Sequence, residues 1–315
     1  MELVSIEKNR NNIIVKHQEL IHTARYRLSE LGIKVLSVLI SMIKVSDTEF
    51  TQYAIKIEDF KELIQSDSKN TYKYAHNLIS ELMSNPLKIG DEQFNWVSYG
   101  KYRKGENIIV FEIHRLLKPY LLEIQQNFLK YNIKNILPLR SSYVIRFYEL
   151  CKDYFNEGTR YNKNKSVTFD IKIDRLRELF EIPSSYQYSS HIKKLIIEKS
   201  KKQFKAKTDI QFTYQEQKIG RKVDRLIITV KENNKGSNDF LSDLKSFIAH
   251  MRKNYVNQNV WTGQEMILSI SESGRIYDKK TLREYNNKDS QKVWESWYEL
   301  AKDNELLCLK QGTLF

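Results

Sequence analysis

Cysteine, proline and glycine are all scarce in this 315-residue chain, at two, four and ten residues. Two cysteines, Cys151 and Cys308, cannot build a disulfide framework, so a reducing cytoplasm is the expected compartment. So few helix breakers and turn formers argue for long regular elements joined by plain loops. No apolar run is long enough to span a bilayer: the most apolar stretch, Leu28–Val45, is interrupted by Glu30, Lys34 and Lys44. Neither end resembles a secretory signal. Catalytic signatures are missing as well. The histidines (His17, His22, His76, His114, His191, His250) are scattered, and there is no His-x-His pair, HExxH or GxxxxGKS/T. A metal-dependent nicking enzyme, a zinc protease and a P-loop ATPase are therefore disfavoured. Cys151 shares the apolar face of a helix with Val144, Phe147 and Tyr148, as a packed core thiol would. The expectation is a non-enzymatic protein with no metal, no cofactor and no membrane partner.

What the chain does have is positive charge in one place. Lys and Arg outnumber Asp and Glu by 19 to 16 over Met1–Ile136 and by 22 to 12 over Leu137–Lys235, and balance at 11 each over Gly236–Phe315. Most of the net +13 thus lies in the middle segment. A uniformly basic chain says little, whereas a concentrated patch points to a polyanion. Its densest part is a predicted helix over Ser189–Lys207 with seven lysines and one acid, Glu198. A second basic cluster, Lys218, Arg221 and Lys222, follows in a hairpin-like stretch.

Periodicity places these elements in a repeat. The first copy reads as a helix over about Glu30–Ile43, a strand Tyr53–Ile57, a helix Glu58–Gln65, a break at Ser66–Ser68 and a helix Thr71–Met83 stopped by Asn85-Pro86. Two strands, Gln93–Ser98 and Asn107–Ile113, then flank a loop Tyr99–Glu106 carrying Lys101, Arg103 and Lys104. Shifted by roughly 116 positions the order recurs. It runs helix Tyr143–Phe155, strand Val167–Ile171, helix Asp174–Phe180, a break at Pro183–Ser185, the lysine helix, and strands Ile210–Tyr214 and Val223–Val230 around Gly220. Ile57–Ile64 aligns with Ile173–Phe180 residue by residue. Helix, strand, helix, helix, strand, strand, written twice, predicts an α+β protein of tandem winged-helix (winged helix-turn-helix) domains. The expected division is 1–136, a first winged-helix domain in contact with DNA; 137–235, the main DNA-binding domain; and 236–315, a small, mainly helical extension. The extension is expected to hold helices Phe240–Tyr255 and Ser290–Lys302, with Trp294, Trp297 and Tyr298 clustered.

In a winged helix the second helix of the turn motif enters the major groove, and the wing meets the backbone beside it. In copy two Ile192, Leu195 and Ile196 should face inward, leaving Ser189, Ser190, Lys193, Lys194 and, further along, Lys201 outward. Lysine is chiefly a phosphate partner, while Ser can meet base edges. Tyr186 and Tyr188 are placed to pack on sugars or thymine methyls, and Lys218, Arg221 and Lys222 to form the wing contacts. In copy one Lys73 and Asn77 project outward, and Asn77 has the groups for bidentate adenine recognition. A solvated surface face explains any one of these residues taken alone.

Three segments carry a resemblance. Val15–Ser29 (VKHQELIHTARYRLS) is similar to the VKxNxLIxAxYxL opening of theta-type, iteron-binding plasmid replication initiators. Ser142–Leu150 (SYVIRFYEL) resembles that family's SxYAxRLYELL helix, and Phe169–Phe180 fits the pattern that follows. The resemblance covers about Ile14–Lys231. It implies binding to directly repeated origin sequences and a promoter operator, opening of AT-rich DNA, and recruitment of host replication proteins (a helicase, the chromosomal initiator). It also implies a homodimer in equilibrium with monomer, held through the first domain and repressing its own promoter. By position it implies DNA contact at Lys193 and Lys194 and at Lys73 and Asn77. The lysine helix departs from it in having few arginines for guanine readout, and Gly236–Phe315 has no counterpart in it. A tandem winged-helix transcriptional repressor and a winged-helix protein-interaction adaptor stay open on the residues alone.

Overall fold

A computed structural model of the chain describes residues 2–4, 12–44, 47–64, 70–160, 166–186, 188–233, 247–249, 251–252, 259–261, 267–271, 275–278, 283–302 and 307–309. The first copy runs β1 (Glu2–Val4), β2 (Ile13–His17), α1 (Glu19–His22), α2 (Glu30–Ile40), β3 (Gln52–Lys56), α3 (Ile57–Ile64), α4 (Thr71–Ser84), β4 (Leu87–Ile89), β5 (Glu92–Phe94), β6 (Val97–Arg103), β7 (Ile108–Ile113), α5 (Lys118–Leu121) and β8 (Phe128–Asn132). In the second are α6 (Ser142–Thr159), β9 (Ser166–Lys172), α7 (Ile173–Leu179), α8 (Ser189–Ile192), a π-helical stretch Lys193–Glu198, α9 (Lys199–Lys207), β10 (Ile210–Ile219) and β11 (Lys222–Glu232). The predicted break Ser66–Ser68 lies outside the described residues.

Local signals account for the element starts. Ser29 caps α2 by accepting from the Gly32 amide at 3.0 Å, and Glu30 follows in the positive first turn. The α4 helix buries Ala75, Leu78 and Leu82 at helical spacing. Both copies then build one antiparallel arrangement. The wing strands pair with each other, and the second of them pairs with the strand after the first helix, in the orders β3-β7-β6 and β9-β11-β10. This is the winged helix expected from the repeat. Copy one adds β1, parallel to β3 at the sheet edge, and a β2–β8 ribbon.

Copy one also departs from its expected strands. The predicted strand Gln93–Ser98 is divided between β5, which forms a hairpin with β4, and β6, which continues to Arg103. Tyr99–Arg103, expected in a loop, is therefore strand. Gly100 allows this: α4 crosses so closely that a Cβ there would sit 2.8 Å from Ile79 Cγ2.

The two copies share one core. It runs from Ile14 and Leu36 through Phe111 and Leu129 to Phe147, Phe204 and Ile228, and residues 1–236 form one compact unit. The α6 helix lies at its centre. Its residues Val144, Phe147, Tyr148 and Cys151 are buried, as predicted for one face, and Ile145 and Leu150 are buried with them. Its polar residues Arg146, Glu149 and Asp153 are buried too, because the first copy covers the opposite face. Each is matched there. Arg146 donates to the Tyr26 and Ala24 carbonyls at 2.8 and 3.0 Å and lies over the Tyr26 ring. Glu149 takes Lys16 at 2.6 Å and the Tyr131 hydroxyl. Asp153 meets His22 at 2.6 Å and Gln18 at 3.1 Å.

The connection is pinned as well. Glu30 accepts from Arg140 at 3.1 Å and from the Ser141 amide at 2.9 Å. Partial burial would raise its carboxyl, but Lys34, Ser141 and Arg140 outweigh that and hold it below the usual range. Lys207 donates to the Pro138 carbonyl at 2.9 Å.

Gly158, near the end of α6, faces Val167 of β9 so closely that an added Cβ would sit 2.5 Å from Val167 Cγ2 and 2.8 Å from Cγ1. Valine is stiff and cannot swing clear. Gly158→Ala is therefore expected to destabilise residues 1–236 by about 1–3 kcal/mol. Val167→Ala should restore most of the loss, as a urea titration of the single and double variants will show.

Residues 237–315 form a second compact unit. Here the expectation of a mainly helical extension is corrected. The unit contains a five-stranded antiparallel sheet in the order β15-β14-β13-β12-β16 (β12 Asn259–Trp261, β13 Ile267–Ile270, β14 Ile276–Asp278, β15 Arg283–Glu284, β16 Leu307–Leu309). Strands of two to four residues are too short to show a period-two pattern. The predicted helix Ser290–Lys302 is present as α10 (Asn287–Lys302). Of Phe240–Tyr255, residues 247–249 and 251–252 are described and are helical. Trp294 and Trp297 pack edge to face, 5.2 Å apart, in a core with Phe247, Met251, Leu268, Ile270 and Ile276. No helix among the described residues is long and apolar enough to cross a membrane.

Candidate nucleic-acid interface

The lysine segment folds as predicted, from Ser189 to Lys207, with one difference. Helical backbone runs unbroken through Ile192, Lys193, Glu198 and Lys199, but the middle turn is π-helical. The wider turn brings Ile197 round to the core beside Ile192 and Ile196, while Leu195 is only half-buried. Ser200 and Phe204 continue the buried stripe. Opposite it, Ser190, His191, Lys194, Lys199, Lys201, Lys202, Lys205 and Lys207 are exposed, and Ser189 is half-exposed. The rod is thus apolar on one face and cationic on the other over its whole length.

The wing lies against this rod through specific contacts. Lys193 pairs with Glu216 of β10 at 2.5 Å, and Lys201 sits over the Tyr214 ring, 5.6 Å from its centre. The Tyr214 hydroxyl bonds Glu198, and both burial and that carboxylate raise its pKa. Lys193, expected to point freely outward, is instead engaged within the molecule, and its ammonium is held above its ordinary pKa by Glu216. That correction has a simple cause: the strand that returns beside the rod carries an acid at the matching height. Among the described residues Lys194 has no such partner, and it is exposed, as are Lys218, Arg221 and Lys222 around the wing turn.

Between the start of the rod and the wing tip is a cleft of about 580 Å³ lined by Ile173, Asp174, Arg177, Tyr188, Ser189, Ile219, Lys222, Val223 and Asp224. Tyr186 and Tyr188 are exposed as expected, with the His191 ring 6.0 and 5.5 Å from theirs. His191, Arg177 and Ile219 join this surface without having been read as candidates. Helical spacing of three from Lys194 identifies His191, whereas no local pattern marks the other two.

In copy one Lys73 and Asn77 project from α4 into solvent, as do Tyr72, Tyr74 and His76. Lys101 and Arg103 lie on β6, and Lys104 opens the turn that follows, rather than all three forming a loop. The Lys104 ammonium is 5.8 Å from the Tyr72 ring, and Tyr72 packs on Tyr102, so the wing turn and the start of α4 are one surface. Arg103 is partly engaged by Glu106 at 3.5 Å. This surface is more aromatic and less charged than that of copy two.

Burial pushes the Cys151 thiol well above its ordinary pKa, which leaves it a packed core residue and not a nucleophile. Among the described residues no group of His, Cys, Asp and Glu is placed to hold a metal ion.

Comparison with known proteins finds two winged-helix family matches in order along the chain. Residues 13–152 match the family described as "Initiator Replication protein, WH1", and residues 172–230 the one described as "Initiator Rep protein, WH2". A replication initiation protein of Escherichia coli is 20% identical over 284 residues, covering 86% of this chain and 83% of that protein. Among solved structures, the Pi initiator protein in complex with iteron DNA superposes with a TM-score of 0.55 at 18% identity, over 72% of this chain and 99% of that one. At that identity the likeness is one of fold.

Proposed function

Because this chain belongs to the initiator replication proteins, carrying both of that family's winged-helix units in order, we propose that it binds directly repeated origin DNA to start plasmid replication. The rod of copy two enters the major groove with its cationic face, and the wing straddles the adjoining backbone. The observation that carries this reading is that Lys194, Lys201, Lys218, Arg221 and Lys222 are all exposed on the rod and the wing, elements that contact each other directly. Copy one aligns the protein on the duplex through Lys73, Asn77 and Lys101 and offers a dimerisation surface.

Repression of its own promoter, a monomer–dimer equilibrium and recruitment of a host helicase and chromosomal initiator belong to the same reading, with family membership as their support. Residues 1–236 act without catalysis of their own, in the cytoplasm.

Footprinting on the DNA upstream of its own coding sequence tests the proposal. Protection of several direct repeats of roughly 20 base pairs, about two helical turns, beside an AT-rich tract is the expected result. Protection of one inverted repeat alone would instead favour a repressor. Affinity should also fall steeply between ~50 and ~200 mM salt; a flat response would exclude phosphate-dominated binding.

Glu216 supplies a further check. Glu216→Gln releases Lys193 and removes a negative charge beside the groove. It should tighten binding to any duplex by roughly fivefold to tenfold, about one phosphate contact's worth, as read by fluorescence anisotropy. No change would mean that Lys193 stays off the DNA.

A further inference from the structure

Ile219 is the most exposed large apolar residue described, with 70% of its surface in solvent. Its side chain lies outside the core, where its apolar surface gains nothing from burial. It ends β10 at a two-residue turn in which Gly220 adopts a φ of +59° and Ile219 pairs across to Lys222. A register shift between Gln217 and Lys218 re-aims the strand just before the tip. Lys218, Arg221 and Lys222 surround the isoleucine and are all exposed. An apolar point ringed by cations fits a groove with phosphates on both rims and walls of sugar C–H surface.

The cleft indicates which groove. Tyr188 and Ser189, at the start of the rod, form one wall, and Ile219, Lys222 and Val223 form the other, with Arg177 between them. Asp174 and Asp224 also line it, Asp224 being paired with Arg225 at 3.3 Å. Along a duplex, a sugar-phosphate strand always separates a major groove from a minor one. A strand seated between these walls, with the rod in the major groove, leaves the wing tip in the adjoining minor groove.

We propose that Ile219 is a specificity-determining residue that enters the minor groove beside the site read by the rod and selects A·T over G·C pairs there. The proposal rests on duplex DNA being the ligand of the rod. Selection follows from shape: the guanine 2-amino group projects from the minor-groove floor, where it would meet the isoleucine, and A·T pairs leave that space open. In other architectures apolar side chains likewise enter the minor groove at base steps. The device also supplies sequence discrimination that a lysine-rich rod, chiefly a phosphate binder, lacks.

The test scans the footprinted repeat, two base pairs at a time, replacing A·T by G·C or by inosine·C. Inosine·C keeps the A·T-like minor groove but presents the G·C-like major groove. At the wing position the full-length protein should bind the G·C duplex about tenfold more weakly and the inosine·C duplex as well as the original, in line with the cost of one wrong base pair. Ile219→Ala should bind the original repeat several-fold more weakly and no longer distinguish the three duplexes at that position. Its affinity for unrelated duplex and its thermal midpoint should be unchanged, since the side chain is outside the core. If Ile219→Ala keeps the wild-type pattern, or if inosine·C is rejected as strongly as G·C, the proposal is overturned. If the wild-type protein fails to bind the repeat at all, the origin-binding reading fails instead.

Discussion

Lys16→Met is expected to cost residues 1–236 about 3–5 kcal/mol, the usual price of leaving a buried charge without its partner. Lys16 and Glu149 are each almost fully buried and 2.6 Å apart, and the Tyr131 hydroxyl also donates to the same carboxylate. Removing the ammonium leaves Glu149 charged, or forces it to take a proton, in a site closed off from bulk solvent. Burial together with Glu149 lifts Tyr131 well above the usual tyrosine pKa, and the neutral phenol donates a hydrogen bond but brings no positive charge. The triple variant Lys16→Met, Glu149→Leu, Tyr131→Phe removes every member of the network and should recover most of the stability, because no polar group is then orphaned. Amide hydrogen exchange in α6 reads both effects and is independent of residues 237–315. If the single variant costs less than about 1 kcal/mol, the pair is hydrated in solution and does not join the two copies as described.

The second large effect concerns binding. Lys194, Lys201, Lys218 and Lys222 are exposed and make no ion pair among the described residues. Changing all four to Ala should lower affinity for duplex DNA roughly thousandfold at ~0.1 M salt. The slope of log K against log salt should become shallower by about 0.9 for each phosphate that is no longer neutralised. The weakening should be nearly uniform across sequences, which separates these lysines from Ile219. A quadruple variant that binds normally with an unchanged slope would move the interface elsewhere on the molecule. Folding should be unaffected, since none of the four side chains is buried.

Much of this site is legible in the chain because it is written in short-range patterns. The rod announces itself by apolar residues at helical spacing and by its lysines, and the repeat by two similar runs at Ile57–Ile64 and Ile173–Phe180. Helical period, local charge and breakers act within a few residues of each other, so they survive without knowledge of the fold. The partner of Lys193 is not of this kind. Glu216 lies 23 residues away on another element, and only the return of β10 alongside the rod brings the two together. The same holds for β6, where a glycine that looks like a loop former instead admits the close crossing of α4.

Helix α6 draws the boundary most clearly. Its sequence by itself determined an amphipathic helix, with Val144, Phe147, Tyr148 and Cys151 on the core face and Arg146, Glu149 and Asp153 on a polar one. A polar face predicts solvent. Only the tertiary structure decided that this face is buried, because Lys16, His22 and the carbonyls of Ala24 and Tyr26 arrive from a segment more than a hundred residues earlier. Residues that resemble a family signature in the sequence thereby become the means by which the two winged helices are held against each other. The physical reason is general: period and propensity are properties of neighbours along the chain, whereas the fate of a buried charge depends on which distant group is brought within about 3 Å of it.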